Sequence, residues 1–206
     1  MVSAVVLAAG MSTRMGQNKL LLNFRDKPLI VHAVDTLLAS EVDEVIVVLG
    51  HEAEKVRDEL ERRIGPSNKA APGKPMRLVQ NPDYQNGLST SVRIGVEAVS
   101  RRANGIMIYL ADQPLLEPED LNRIVAGFAA AKEINKGIVV PFFRGERGNP
   151  VILEASLRVA ILGIVGDVGC KGVIKRYPEK VYAIEMDNDH VIRDVDDIHA
   201  YERLAG

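Results

Sequence analysis

Tryptophan is absent from the 206 residues and aromatic residues make up 4% of them, so no row of aromatic platforms is available to stack the bases of a single strand. A basic excess is missing too. Twenty-six Lys and Arg against 28 Asp and Glu leave a formal net charge of -2, which removes any global attraction to nucleic acid or an anionic membrane. The single cysteine, Cys170, has no internal disulfide partner, and its solitude fits a reducing, cytoplasmic compartment. No apolar run approaches the roughly eighteen residues of a membrane span. The opening MVSAVVLAAG carries no Lys or Arg before its apolar stretch, unlike a secretory leader. His32, His51, His190 and His199 show no close ligand spacing, which argues against a structural zinc site.

What is present is an aliphatic chain, 47% hydrophobic and 26% charged, of a length that suits one domain over residues 1–206. Short apolar runs alternate with longer helical patterns, the sequence form of an α/β sheet. Strands are expected at 3–7, 44–49, 76–80, 105–110, 137–143 and 180–186, with Pro141 marking an edge or an irregular end. Helices are expected at 28–38 and 52–64, after Ser89-Thr90-Ser91, from Pro118 onward, and at the end over 197–204. Shorter helices are expected at 153–162 and 171–177, and an exposed excursion at 65–75. The fold class is therefore a three-layer α/β/α sandwich on a mostly parallel sheet.

The most informative stretch is 7–19, LAAGMSTRMGQNK. Small residues leaving a buried strand let backbone N–H groups approach a polyphosphate, and Arg14 and Lys19 add long cationic arms. Tight βα turns also use glycine for purely structural reasons. The spacing matches neither a Walker A loop nor the G-x-G-x-x-G dinucleotide fingerprint, which disfavours an NAD-dependent reductase. Asp112 stands at the carboxyl end of a strand, where open α/β sheets place their ligand crevice. It is suited there either to hold a metal or to cap the following turn. Residues 187–197, DNDHVIRDVDD, offer further carboxylates, but Ile192 stands where a calcium loop needs glycine. Ser89 and Ser91 open a helix and serve as a plain N-cap, an anion site, or both.

The loop LAAGMSTRMG-x-x-K resembles the signature of the MobA-like nucleotidyltransferases. Further segments fall in that family's order: 81–96 (NPDYQNGLSTSVRIGV), 111–114 (ADQP), 147–151 (RGNPV), 166–169 (GDVG) and 194–196 (DVD). The resemblance implies a Rossmann-like, nucleotide-diphospho-sugar transferase fold. It implies that Leu7, Ala8, Ala9 and Gly10 meet base and ribose, that Arg14 and Lys19 hold phosphates, and that Asn81, Gly87, Ser89 and Ser91 lie over the nucleotide. It makes Asp112, with Asp194 or Asp196, the site of Mg²⁺. Ala9 is the residue that leans toward the molybdenum cofactor cytidylyltransferase branch, and so toward CTP, because the guanylyl branch usually carries L-A-G-G.

The acceptor implied is molybdopterin or its molybdenum-loaded form, facing Arg147, Asn149, Asp167 and Lys171. A molybdenum hydroxylase or its maturation factor is a further partner. Two departures stand out: the family often reads R-G-H-P-V and G-D-x-G-A-R where this chain has RGNPV and GDVGCK. Lys171 keeps a cation without a bidentate grip on phosphate. Three alternatives stay open: guanylyl transfer to the same cofactor, nucleotidyl transfer to a sugar phosphate, and a non-catalytic carrier of the cofactor. Cys170 has no evident His partner and reads as packing rather than as a nucleophile.

Overall fold

The computed structural model describes residues 1–65, 74–166 and 169–205. In chain order its strands are β1 Val2–Ala8, β2 Asn23–Phe24, β3 Lys27–Pro28, β4 Glu44–Leu49, β5 Met76–Gln80, β6 Gly105–Leu110, β7 Ile138–Phe143, β8 Glu146–Arg147, β9 Val151–Glu154 and β10 Val181–Glu185. The helices are α1 Leu29–Ala39, α2 Ala53–Arg63, α3 Leu88–Ala98, α4 Pro118–Glu133, α5 Arg158–Leu162, α6 Lys171–Arg176 and α7 Ile198–Ala205. The main sheet runs β10-β7-β9-β6-β1-β4-β5, with β8 paired to β7. The β2/β3 pair forms a small hairpin of its own.

β1 lies between β6 and β4, parallel to both, and β5 continues the parallel run. All of β1 and β4 is buried, as a central strand covered on both faces must be. Side chains alternate across a strand, and β1 divides accordingly. Val2, Ala4, Val6 and Ala8 pack in one layer with α1, α2 and α4. Val5 and Leu7 pack in the other with Val92 and Val96 of α3 and Val173 of α6. Gly95 lets α3 seat this closely: a Cβ there would stand 2.2 Å from Val5 Cγ1.

The expected mixed, mostly parallel sheet flanked by helices is present, with one local correction. The helix expected at 153–162 begins instead as strand β9, antiparallel between β6 and β7, followed by a 3-10 turn and the short α5. Val151, Ile152 and Leu153 are all buried. A short apolar run reads alike as strand or helix, and burial on both faces decides for strand. Pro141 lies past the part of β7 paired with β9, which ends at Val139, and before Phe142, where β8 pairs. Most of the excursion expected at 65–75 falls outside the described residues. Among the described residues no helix is long and apolar enough to cross a membrane.

Candidate active site

β1 and β6 are neighbours and end side by side, and the loop after β1 folds over their carboxyl ends. Ser12 takes a left-handed conformation with φ 51, a 3-10 turn follows at Thr13–Met15, and Gly16 closes it at φ 66. The Ser12 hydroxyl accepts from the Lys19 backbone N–H at 3.2 Å, closing the loop on itself. Buried Asn18 caps the next 3-10 turn through Leu20 N and donates to the His51 carbonyl at 3.3 Å, bracing the loop against the start of α2. At Gly50 a Cβ would sit 2.6 Å from Ala9 Cβ and 2.7 Å from Tyr84 Cβ. The missing side chain is what allows three segments to converge there.

The result is a cleft of about 610 Å³ whose walls include Ala9, Gly10 and Arg14 from the β1 loop and Tyr84 to Leu88 opposite. Its floor carries charge. Lys19 Nζ donates to Asp112 Oδ2 at 2.6 Å and to the Val195 carbonyl at 2.7 Å, and lies 3.9 Å from Asp196 Oδ1. Arg14 Nη1 stands 3.5 Å from Asp196 Oδ2. Val195 N–H in turn donates to the Asp112 carbonyl at 2.9 Å, so the 194–196 segment is stitched to the end of β6. Burial, reinforced by the neighbouring Asp196 and Asp112 carboxylates, pushes the Asp194 carboxyl above its ordinary value.

Asp112 Oδ1 is buried and, among the described residues, meets no hydrogen-bond partner. An ionised oxygen in that position calls for a cation. Among the described residues no three acidic, His or Cys side chains form a ready-made metal cluster, but Asp112 and Asp196 both line the cleft, and one or two carboxylates are what a protein usually offers a hard divalent ion such as Mg²⁺.

The structure gathers Leu7, Ala9, Gly10, Arg14, Lys19, Gly87, Ser91, Asp112 and Asp196 around this cleft. Several other expected residues fall elsewhere. Ala8 belongs to the opposite core layer, because consecutive strand residues cannot all face one side. Asn81 is fully buried: its amide donates to the Thr90 and Ser91 hydroxyls at 2.9 Å each, and its carbonyl accepts from Asp83 N–H. It shapes the 81–91 segment instead of facing the cleft. Ser89 is buried, and its backbone N–H donates to the Gly166 carbonyl at 3.1 Å. Asp194 lies beside the cleft and not in its wall.

Of the acceptor group, Arg147 sits on β8 near Cys170, half-buried, with its guanidinium pKa lowered by that burial. Lys171 is exposed at the start of α6, and Asn149 N–H donates to the Val191 carbonyl. None of these three lines the cleft, and Asp167 lies outside the described residues. Tyr84, Gln85 and Asn86 in the wall were not singled out from the sequence. Their position next to Gly87 in a segment already assigned to the nucleotide was the available signal.

The model of the MobA-like NTP transferase domain matches residues 4–181. The chain belongs to this family. As a MobA-like protein it is a nucleotidyltransferase, a class that works with a divalent metal. It is 30% identical to nicotine blue oxidoreductase of Paenarthrobacter nicotinovorans, over 98% of this chain and 96% of that one. It is 24% identical to molybdenum cofactor cytidylyltransferase of Escherichia coli K12, over 95% and 91%. A nucleotidyl transferase from Methanothermobacter thermautotroptrophicus superposes with TM-score 0.78 at 28% identity, covering 100% of this chain and 96% of the other. Rv0371C of Mycobacterium tuberculosis H37Rv, in complex with manganese, superposes with TM-score 0.72 at 28% identity, covering 99% and 97%.

Proposed function

We propose that this MobA-like protein, one domain over residues 1–206, transfers CMP from CTP to the terminal phosphate of molybdopterin or its molybdenum-loaded form, with pyrophosphate as the other product. The observation that carries the reading is the pairing of Lys19 with Asp112 on the floor of the cleft, with Arg14 on its wall and Asp196 between the two cations. In-line attack on an α-phosphate requires alignment and charge neutralisation more than covalent help. Arg14 and Lys19 meet the triphosphate and steady the leaving pyrophosphate, and Ala9, Gly10, Gly87 and Ser91 wall the nucleotide. The acceptor phosphate is the nucleophile, so no covalent enzyme intermediate forms. Asp112, with Asp196 or Asp194, would hold Mg²⁺, which when bound withdraws charge from the phosphates. Ala9 and the cytidylyltransferase relative support CTP and the pterin acceptor. Arg147, Asn149, Asp167 and Lys171 remain the residues proposed for that acceptor, and a molybdenum hydroxylase or its maturation factor the proposed recipient.

The test is pyrophosphate release from each of the four ribonucleoside triphosphates with Mg²⁺ and the pterin acceptor, preceded by melting-temperature shifts with each nucleotide. CTP-selective stabilisation and turnover are expected; a GTP preference would move the protein to guanylyl transfer.

The oxidoreductase relative, matched across nearly the whole chain, favours a second reading in which the same cleft serves a redox reaction. Hydride transfer from a reduced nicotinamide nucleotide to an added two-electron acceptor dye, oxidising the one and reducing the other with no pyrophosphate released, would favour it.

A further inference from the structure

Asp194 and Asp196 belong to no strand or helix. Between β10 and α7 the chain makes only a 3-10 turn at His190–Ile192. β10 stands at an edge of the sheet, and β7 and β9 separate it from β6, so this strap must cross the carboxyl end of the sheet to reach Asp112. Its course is set by tethers at both ends: Asn188 to Val191 are held beside α4, and Val195 and Asp196 meet Asp112, Lys19 and Arg14.

Asp120, in the first turn of α4, is 6% exposed and fully engaged. Its Oδ1 accepts from Asn188 Nδ2 at 2.9 Å. Its Oδ2 accepts from Glu117 N–H at 3.0 Å and faces His190 Nδ1 at 2.8 Å. A carboxylate in a first helical turn is also where the helix dipole favours negative charge. One residue on, the Val191 carbonyl accepts from Gln113 Nε2 and from Asn149 N–H, each at 2.9 Å. A Cβ on Gly148 would stand 2.6 Å from that same oxygen. Among the described residues the next such anchors come at Val195, whose N–H meets the Asp112 carbonyl and whose own carbonyl accepts from Lys19 Nζ at 2.7 Å.

We infer that Asp120, through Asn188 and His190, is a positioning residue that sets where Asp194 and Asp196 stand relative to Asp112. None of the three touches the cleft; they act by fixing the origin of the strap. The inference rests on the reading of Asp112 and Asp196 as the divalent-cation site. In metal sites generally, partners that orient ligands are worth about 10–100-fold in metal affinity or activity.

The test is Mn²⁺ binding in the presence of CTP, read by electron paramagnetic resonance, for wild type, Asp120→Asn, His190→Ala and His190→Asn. The apparent Mn²⁺ dissociation constant is expected to rise about ten-fold in Asp120→Asn and His190→Ala, with CTP affinity at saturating Mn²⁺ little changed. His190→Asn, which keeps a nitrogen donor near the Nδ1 position, should recover most of the loss. His190 is partly exposed, so its variants carry the test if Asp120→Asn fails to fold. Unchanged Mn²⁺ binding with only a lowered melting temperature would overturn the inference. Mn²⁺ binding that survives Asp112→Ala would overturn the cation-site reading itself, and the inference with it.

Discussion

Lys19 Nζ lies 2.6 Å from Asp112 Oδ2, each side chain less than a fifth exposed. One ammonium thus neutralises the carboxylate proposed for the cation and reaches toward the groups that meet the triphosphate. Lys19→Met leaves Asp112, Asp194 and Asp196 facing one another without that charge. Breaking a largely buried pair leaves about 3 kcal/mol uncompensated, near 6–12 °C in melting temperature at this size. Added Mg²⁺ should restore more stability to the variant than to the wild type. Thermal melts with and without the cation measure both, and an unchanged melting temperature would remove the electrostatic argument.

Asp112→Ala should lower pyrophosphate release about a thousand-fold, the scale seen when a fixed electrostatic stabiliser is removed, while circular dichroism stays that of the folded protein. Wild-type turnover in this variant would show that the carboxyl end of β6 is not the reacting site.

Asp194 supplies a pH signature. Burial and the nearby Asp196 and Asp112 carboxylates raise its pKa above the ordinary 3.8, so in the interval between the two values the folded chain holds a proton that the unfolded chain has lost. Stability therefore falls as pH rises through the raised value. A bound divalent cation favours the ionised form and opposes this. Stabilisation by Mn²⁺ should be slight in acid and grow as pH climbs through that range, and Asp194→Asn should flatten the cation-free slope. Melting curves across pH in matched buffers decide it.

Much of this was legible in the residues. The buried runs at β1, β4 and β6 declared a parallel centre, and Asp112 at the end of β6 fell where such sheets bind ligands. The loop's Arg14 and Lys19, expected together from the sequence, do line one cleft. What was hidden depended on distance in three dimensions. β9 looked helical because four residues carry too little period to choose, and its pairing with both β6 and β7 made the choice. Asn81, polar in a segment facing a ligand, looked like a contact but is consumed by Thr90, Ser91 and Asp83. The clasp of Asp120 on Asn188 and His190 joins residues about seventy positions apart, beyond any local pattern.

Cys170 is buried, and burial pushes its thiol up to about 12 despite the opposing charge of Arg147. The thiolate is the reactive form, so an aromatic disulfide reagent near pH 8 should label the native protein far more slowly than the denatured chain. Rapid labelling of the native protein would return the cysteine to the list of functional groups.

Two glycines separate folding from binding. A Cβ on Gly50 would meet Ala9 Cβ at 2.6 Å and Tyr84 Cβ at 2.7 Å, whereas one on Gly10 meets nothing within 4 Å among the described residues. Gly50→Ala should therefore destabilise by about 1–3 kcal/mol, the usual penalty of overpacking, and loosen the cleft as a consequence. Gly10→Ala should change stability by no more than about 0.5 kcal/mol, because the backbone there has room. If Gly10 is nevertheless bare so that a nucleotide can lie against it, the added methyl should weaken CTP binding at least several-fold at an unchanged melting temperature. Calorimetric titration of CTP into both variants makes the comparison. Equal CTP affinity in wild type and Gly10→Ala would mean that the loop after β1 holds the nucleotide, if at all, from some other side.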